Sequence, residues 1–342
     1  MADARLTDAQ IRAHRVATMP GVLDTGIQDT PPATGGARAL ALRGLDPGGL
    51  VLVHSTRGAM HLHRAATLPA LAAALRPDSA ADLRRQQFGP FFADLPVPIG
   101  TALDEVVTAM ASVMADGARR SKGDLSTALT GAVDRRLRPW CAGCATHHVH
   151  DALFRLASLQ AGLHLLPNGN GSADFVTGAG SGRPSPPPAE ARRELVRGFL
   201  RNAGPTDRDG LAAWLGLSPA AARRWWSLAD VVPVDVAGRT LFMHPADLDA
   251  ARAAAPADGL YLLPPYDPIL ELTDRRLLVP DPVHRKQVWR AAANPGVVLA
   301  DGAVAGTWRR RGGTITVTAF GRGLSRRRLA AATEEEVVVA ES

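Results

Sequence analysis

The sequence has few cysteines, few lysines and no long apolar segment. Its 342 residues include two cysteines, which excludes a disulfide framework in a chain of this size. No window approaches the ~18 uncharged apolar residues that a membrane-spanning helix needs, and the first residues lack the charged-then-apolar order of a signal peptide. We therefore expect a monomeric cytoplasmic protein of two to three domains.

The basic residues are almost all arginine: 37 of 39, with a formal net charge of +6. A composition rich in Ala, Arg, Gly and Pro is what a GC-rich genome produces whatever the function, and this bias explains the preference for arginine over lysine. It does not explain the net excess of positive charge or its clustering. These two features favour a phosphate-rich partner, and we expect double-stranded DNA.

Residues 190–257 have the order of a winged helix: two helices, a turn, a third helix and a hairpin. Thr206 is expected to cap the second helix, and Ser218 the third. The third helix would carry Arg223 and Arg224 into a groove of DNA, as recognition helices do. Two alternating apolar segments after it predict the hairpin.

The same order of elements recurs twice upstream, with drift, and strands dominate after residue 258. The predicted fold class is therefore mainly α with β hairpins (α+β), with three tandem winged-helix units and a small C-terminal β-rich module. The acidic end of the chain is expected to fray. The predicted divisions are a first unit (1–98), a second unit (99–178), a Gly/Pro/Ser-rich linker (179–189), a third unit (190–257), the β-rich module (258–330) and an acidic tail (331–342).

Four stretches of the chain carry a resemblance to a known family. They are GIQDTPP (26–32), TRGAMHLHR (56–64), LLPPYDPIL with RRLLVPDPVHRKQVWR (262–290) and VLADGAVAGTWRRR (298–311). Together they resemble the AlkZ/YcaQ-like winged-helix DNA glycosylases. The resemblance implies a concave surface that fits DNA, excision of alkylated or crosslinked bases in DNA repair, and no cofactor. The alternative is a winged-helix protein that binds DNA without catalysis, as a regulator or damage-recognition module.

In that family a Gln-aliphatic-Gln or Gln-aliphatic-Asp motif positions the attacking water. The favoured alignment places Gly26 at the first motif position and Gln28 at the second; another makes Gln28 the first residue and Thr30 its partner. Either way one catalytic polar group is missing. The resemblance thus implies a depleted motif with Gln28 and Asp29 as catalytic residues. The alternative is that Asp29 and Thr30 only form an Asx turn into the next helix.

Two further groups of residues are candidates for DNA binding. Arg57 and His61 lie on a hairpin that the resemblance places near the motif, where they could contact a phosphate or an extruded base. The alternative is a surface hairpin with a turn-capping arginine. Arg309, Arg310 and Arg311 follow one another before a Gly-Gly turn, and we predict an exposed cationic tip that binds DNA.

The stretch CAGCATHHVH has the densest set of metal-ligand side chains in the chain. A Cys-x2-Cys pair is half of a zinc site, whose second pair usually comes from a separate segment. We predict that the protein folds without metal and that these residues pack in a turn before a helix. The alternative is a zinc site formed by Cys141, Cys144, His147 and His150.

Overall fold

Helices and short strands alternate along the protein in the computed structural model, which describes residues 4–83, 89–178, 185–291, 293–321 and 324–340. The α-helices in these ranges are α1 (Asp8–Ala17), α2 (Gly36–Ala41), α3 (Leu68–Leu75), α4 (Gly89–Ala93), α5 (Ile99–Val113), α6 (Lys122–Ala132), α7 (Asp151–Gln160), α8 (Pro188–Ala203), α9 (Arg208–Leu215), α10 (Pro219–Trp226), α11 (Pro245–Ala253), α12 (Arg275–Leu278), α13 (Pro282–Val288) and α14 (Arg326–Ala331). None of these helices is long and apolar enough to cross a membrane.

The strands are short. They are β1 (Ala4–Arg5), β2 (Ile27–Gln28), β3 (Leu50–His54), β4 (Met60–Arg64), β5 (Trp140–Cys141), β6 (Thr146–His147), β7 (Leu163–Pro167), β8 (Ala173–Thr177), β9 (Val232–Val236), β10 (Arg239–Met243), β11 (Leu260–Leu263), β12 (Gly296–Ala300), β13 (Ala303–Arg311), β14 (Thr314–Ala319) and β15 (Glu336–Ala340). The fold is therefore a mixture of α and β structure. Part of the predicted linker, residues 179–184, lies outside the described residues.

Side chains at helix starts explain where several helices begin. Thr7 forms a capping box with Gln10 at α1, and Ser218 caps α10 as the sequence predicts. The predicted cap at Thr206 is wrong, because Asp207 accepts the N–H of Gly210 at 2.8 Å and caps α9 instead. The backbone of Thr206 pairs with Phe242 of β10, which fixes Thr206 one position before the capping residue Asp207.

The central sheet has the strand order β2-β4-β3-β7-β8. It joins the hairpin β3–β4 of the first predicted unit to the hairpin β7–β8 of the second, through the pair Leu52 and Leu165. The third hairpin, β9–β10, takes β1 from the start of the chain as a parallel partner. An isolated hairpin is only marginally stable, so each hairpin gains strands from elsewhere. The division into three winged-helix units stays a prediction.

The C-terminal sheet has the order β11-β12-β13-β14-β15. Its last strand comes from the acidic tail, so the prediction that the tail frays is wrong for Glu336–Ala340. This strand runs parallel to β14, and Val337 and Val339 pack against the core that contains Trp308. The burial of these two valines explains why an acidic segment joins the sheet.

The central sheet packs on both faces. Leu52 belongs to the core formed with α5, α6 and α7, whereas its neighbour Val53 belongs to the core formed with α3, α8, α9 and α10. Successive residues of a strand face opposite sides, so β3 contributes to both cores. Polar residues on β3 and β4 are consequently buried, and β2 lies at the edge of the sheet, where it meets the C-terminal module.

Candidate active site

Asp29 organises the loop that follows β2. Its buried carboxylate accepts four backbone N–H groups at 2.7 to 3.1 Å, from Ala33, Thr34, Gly35 and Gly36. These bonds close the turn and satisfy N–H groups at the start of α2. They also leave the carboxylate little capacity to hold a water. The arrangement has the geometry of the Asx-turn alternative, and a catalytic role for Asp29 stays a prediction.

Gln28 lies beside Asp29 but has a different environment. It pairs with His61 across β2 and β4, and its side chain is half-buried. The Oε1 atom is buried and accepts no hydrogen bond from the described residues. Thr30, the partner of Gln28 in the second alignment, exchanges hydrogen bonds with the backbone of Met60. Among these three polar side chains, Gln28 is the one with unused capacity to bind a ligand or a water.

Gln28 faces an open cleft of about 470 Å³ between the loop after β2 and the C-terminal module. We call this space the cleft, and its volume is in the range of small-molecule sites. It is lined by Gln28, Thr30, Pro31, Thr34, Gly35, Pro265, Tyr266, Ala293, Asn294, Pro295, Gly296, Trp308, Arg309 and Arg310. The structure thus brings one predicted catalytic residue together with two predicted DNA-binding arginines.

Tyr266 is a cleft residue that sequence reasoning missed. Its side chain is 36% exposed, and its backbone has a φ of 62°, which is uncommon for a residue other than glycine. The next residue, Asp267, forms a fully buried ion pair with Arg43 at 2.8 Å and anchors this segment to the chain that follows α2. The signal was present in the stretch LLPPYDPIL. An aromatic side chain held at a cleft rim offers a stacking surface to a base.

Gly26 is the first motif position in the favoured alignment, and the imidazole of His63 fills the space beside it. A Cβ atom at Gly26 would lie 2.3 Å from His63 Cε1, and the φ of Gly26 is 88°. Both features exclude a side chain here unless His63 moves. His63 Nε2 lies 3.0 Å from Ser55 Oγ, and burial lowers the pKa of His63 to about 4. A neutral imidazole therefore fills the space that a side chain at Gly26 would need.

Arg57 and His61 belong to a group of polar side chains inside the protein. The buried polar cluster, as we call it, consists of His54, Arg57, His61, His63 and Glu271. Arg57 binds Glu271 at 2.7 Å, and His61 Nδ1 donates to the carbonyl of Ala59. Burial raises the pKa of Glu271, lowers that of His61 well below its usual value and lowers that of His54 to about 3.

The positions of Arg57 and His61 disfavour their predicted contacts with DNA. His61 is only 1% exposed and has no surface to offer a phosphate, while Arg57 already has a carboxylate partner. Contact between His61 and DNA would require the cluster to open, and Arg57 would have to exchange Glu271 for a phosphate. We therefore place neither of them in the interface proposed below.

The other predicted arginines lie on two separate elements. Arg309 donates to the carbonyl of Ala293, while the exposed Arg310 binds Glu335 at 2.9 Å, and both line the cleft. Arg311 is exposed at the end of the same strand, β13. On α10, Arg223 is exposed, whereas Arg224 binds Asp82 at 2.7 Å.

A basic groove of about 720 Å³ between α12, α13 and the hairpin β9–β10 was also missed. Five cationic residues line it: Arg239, Arg275, Arg276, Arg285 and Lys286. Asp8 and Asp274 are the acidic residues of the groove, and Asp274 is bound by Arg15 at 2.7 Å. The charge pattern RRLLVPDPVHRK was the available signal, but sequence alone did not show that β10 adds Arg239 to it.

The cysteine-rich stretch forms the hairpin β5–β6 just before α7. Cys141, Cys144 and His148 come together, with ligand atoms within 4.8 Å of one another. The alternative set named His147 and His150, whereas the structure brings His148 to the two cysteines. His147 Nδ1 lies 3.0 Å from the carbonyl of Arg138, and His150 caps α7 by accepting the N–H of Ala152. The N–H of Cys144 helps lower the pKa of the Cys141 thiol to about 7.

Comparison with known proteins places this architecture in a family. The DNA glycosylase AlkZ-like family matches residues 34–339, a range that begins after the loop carrying Gln28 and Asp29. An interstrand DNA cross-link repair glycosylase of Streptomyces sahachiroi is 33% identical over 145 residues. That alignment covers 40% of this chain and 38% of the relative, so it spans well under half of each protein.

A solved structure extends the likeness over the whole fold. The Streptomyces sahachiroi DNA glycosylase AlkZ superposes with a TM-score of 0.74, covering 98% of this chain and all of that one at 20% identity. This likeness concerns the fold, whereas the family match also covers most of the sequence. The chain belongs to the AlkZ-like DNA glycosylase family.

Proposed function

We propose that this protein is a DNA glycosylase that excises alkylated or crosslinked bases, and that Gln28 holds the attacking water. The observation that carries the proposal is the buried Oε1 of Gln28, which has no partner among the described residues and belongs to a side chain that lines the cleft. A buried acceptor without a partner is costly in a folded protein, and such groups are often part of functional sites. Family membership supplies the reaction class.

The reaction needs no general acid from the protein, because a base alkylated at a ring nitrogen is cationic and leaves readily. The C1′–N bond breaks with its electron pair moving to the base, which becomes neutral and needs no proton from the enzyme. The sugar then carries oxocarbenium character, and the oxygen of a water attacks C1′ and releases a proton to solvent. An amide oxygen can orient that water by accepting one of its hydrogens.

The surroundings of Gln28 fit this role. Asp29 fixes the loop that follows Gln28 through its four backbone hydrogen bonds. Tyr266 offers its ring to the damaged base, and Arg309 and Arg310 lie where they can bind phosphates beside the lesion. In this proposal the three predicted winged-helix units carry the duplex across the cleft, and the basic groove extends its contact with the backbone.

The depleted motif predicts slow catalysis. With Gly26 at the first position, one of two water-positioning groups is absent, and losing one preorganised group costs roughly 3 kcal/mol of barrier. Because a cationic base leaves readily, such a loss slows base release without abolishing it. We therefore expect a low but measurable rate on N3- or N7-alkylated purines.

The test compares base release from alkylated duplex DNA by the wild type, by Gln28→Ala and by a matched amide variant. Gln287 lies exposed on α13, so Gln287→Ala removes the same chemical group away from the cleft. We expect Gln28→Ala to lower the single-turnover rate about 100-fold or more with DNA affinity unchanged. Gln287→Ala should behave as the wild type. Equal rates for Gln28→Ala and the wild type would refute the assignment of Gln28.

A second function is favoured by the saturated carboxylate of Asp29, which looks like a structural turn rather than a catalytic group. Under this reading the protein binds damaged DNA without cutting the glycosidic bond. It predicts duplex binding together with no base release from any alkylated substrate. The same assay therefore decides between the two functions.

A further inference from the structure

The hairpin β5–β6 has the local geometry of a metal-binding knuckle. Trp140 pairs with His147 and Cys141 with Thr146, so the two cysteines lie at one end of a very short ladder.

The three side chains are close enough to share one ion. The two Sγ atoms and a ring nitrogen of His148 all lie within 4.8 Å of one another. Ligands around a tetrahedral zinc ion are separated by about 4 Å, as Zn–S bonds of ~2.3 Å and Zn–N bonds of ~2.0 Å require. Only small side-chain rotations would bring the three atoms to bonding distance.

The hydrogen bonding of His148 gives an independent indication of a metal site. Its Nδ1 donates to the carbonyl of Val149 at 2.7 Å, which leaves the lone pair on Nε2. Nε2 is buried and makes no hydrogen bond with the described residues. Metal-bound histidines characteristically donate their other ring N–H to a backbone carbonyl in this way, because the bond fixes the tautomer and the ring orientation. The bond to Val149 thus orients the imidazole with Nε2 as its ligand atom.

We propose that Cys141, Cys144 and His148 bind one Zn²⁺ ion, with the fourth position open to water or to a group from a binding partner. Two sulfurs and one imidazole are a donor set that suits zinc rather than magnesium or calcium. The bound ion would pin the hairpin against the start of α7 (Asp151–Gln160). Such a site lies outside the cleft and does not depend on the glycosylase proposal.

The ion is not expected to hold the whole fold together. The described hydrophobic core on this side includes Leu137 and Val149, and the intervening residues Trp140 to His148 contribute nothing to it. The metal therefore orders a surface hairpin rather than a core. This agrees with the expectation that the chain folds without metal.

Co²⁺ reports such a site directly, because a thiolate ligand gives a sulfur-to-cobalt charge-transfer band and tetrahedral geometry gives intense visible bands. The reduced full-length protein is titrated with Co²⁺ and then with Zn²⁺. We expect one Co²⁺ per chain with a thiolate band, displaced by Zn²⁺. Cys141→Ser should abolish the band. His148→Ala should weaken binding by more than the roughly tenfold to hundredfold that loss of an outer-shell partner costs.

His147→Ala is the matched control, since His147 is the neighbouring imidazole and points to the carbonyl of Arg138 instead. It should leave the spectrum and the affinity unchanged. Far-ultraviolet circular dichroism of each variant without metal establishes that it is folded. Absence of a thiolate band in the reduced wild type would overturn the proposal. Equal affinities for His148→Ala and the wild type would overturn the three-ligand assignment.

Discussion

The cleft and the buried polar cluster are neighbours on the same pair of strands, yet their polar groups differ in exposure and in hydrogen bonding. Gln28 on β2 and His61 on β4 are direct partners in the sheet. Gln28 lines the open cleft, and its Oε1 accepts no hydrogen bond from the described residues, whereas His61 is enclosed and donates to the carbonyl of Ala59. Both residues were candidates from the sequence.

The difference shows that polar residue type does not by itself indicate a reactive site. In the buried polar cluster, hydrogen bonds and one ion pair satisfy the polar groups, and burial keeps the imidazoles neutral. Gln28 lines the cleft, and its buried Oε1 has no hydrogen-bond partner among the described residues. The following predictions test this contrast, first in the cluster, then in the loop and finally at the cleft.

The largest expected effect is acid destabilisation through the buried histidines. Burial lowers the pKa of His54 to about 3 and that of His63 to about 4, below the usual 6.5. As pH falls below 6.5, these histidines become protonated in the unfolded chain but stay neutral in the folded protein. The free energy of unfolding therefore decreases progressively until the pH reaches the pKa of the folded state. At pH ~5 each ring should cost about 2 kcal/mol relative to neutral pH.

Urea unfolding at neutral and mildly acidic pH measures this loss. A folded His63→Gln variant should show a shallower decline, because one of the titrating groups is gone. His147→Gln, which changes an exposed histidine, should decline as the wild type does. An equal decline for His63→Gln would contradict the assignment to His63.

Removing Arg57 is expected to have the next largest effect. Arg57→Ala leaves Glu271 buried without its cation, and breaking such a pair costs roughly 3 kcal/mol. Burial already raises the pKa of Glu271, and losing Arg57 raises it further. The free-energy difference between variant and wild type should therefore shrink as pH falls and Glu271 becomes neutral. Urea unfolding of both proteins at neutral and acidic pH measures this difference.

The double variant Arg57→Ala, Glu271→Gln provides the control for this pair. It removes the charge along with its partner and should recover much of the lost stability. A difference that is independent of pH, with no recovery in the double variant, would mean that Arg57 acts through packing alone.

Asp29 should affect stability more than it affects chemistry. Asp29→Ala leaves the N–H groups of the turn without an acceptor, and we expect a loss of about 2 kcal/mol in the free energy of unfolding. Asp29→Asn keeps one carbonyl oxygen and should lose less. If Asp29→Asn instead abolished base release while retaining full stability, Asp29 would be catalytic and the structural interpretation wrong.

The smallest effects are expected from the arginines that face solvent. Affinity for duplex DNA should fall by orders of magnitude between ~50 and ~200 mM salt, because several phosphates are neutralised. Arg309→Ala with Arg310→Ala should weaken binding about tenfold and lower the salt slope by about 2. Arg224→Ala should matter less, since Arg309 and Arg310 line the cleft and Arg224 lies on α10 outside it. Fluorescence anisotropy at several salt concentrations measures the affinity and the salt slope of each variant. A larger loss of affinity for Arg224→Ala than for the Arg309, Arg310 double variant would place the interface at α10.

A Gly26→Gln variant would connect the cleft and the buried polar cluster, because the new side chain would meet His63. Restoring the family motif with Gly26→Gln is an obvious sequence-based experiment, but the new Cβ would meet the ring of His63 at 2.3 Å. The positive φ of Gly26 adds strain to the clash. A gain of activity would therefore need a compensating change at His63, and the pair has to be varied together.

The local elements of this protein follow closely from its sequence. Apolar periodicity and turn residues place the helices from α5 to α10, the start of α10 at Ser218 and the hairpin turn at Asp301-Gly302. These features depend on residues a few positions apart, so the sequence records them directly. The family motifs likewise point to the loop of Gln28 and to the arginines of β13.

Only the tertiary structure decided which polar residues are reactive and which are structural. Arg57 and Glu271 are 214 positions apart, and Arg43 and Asp267, which anchor the segment of Tyr266, are 224 apart. Local patterns do not specify such pairings, because burial and partnership arise when distant segments pack. The same holds for the tail that becomes β15, whereas the meeting of His148 with Cys141 and Cys144 is set within one short hairpin. The sequence determined the parts and their order, and long-range packing determined the environment of each polar group.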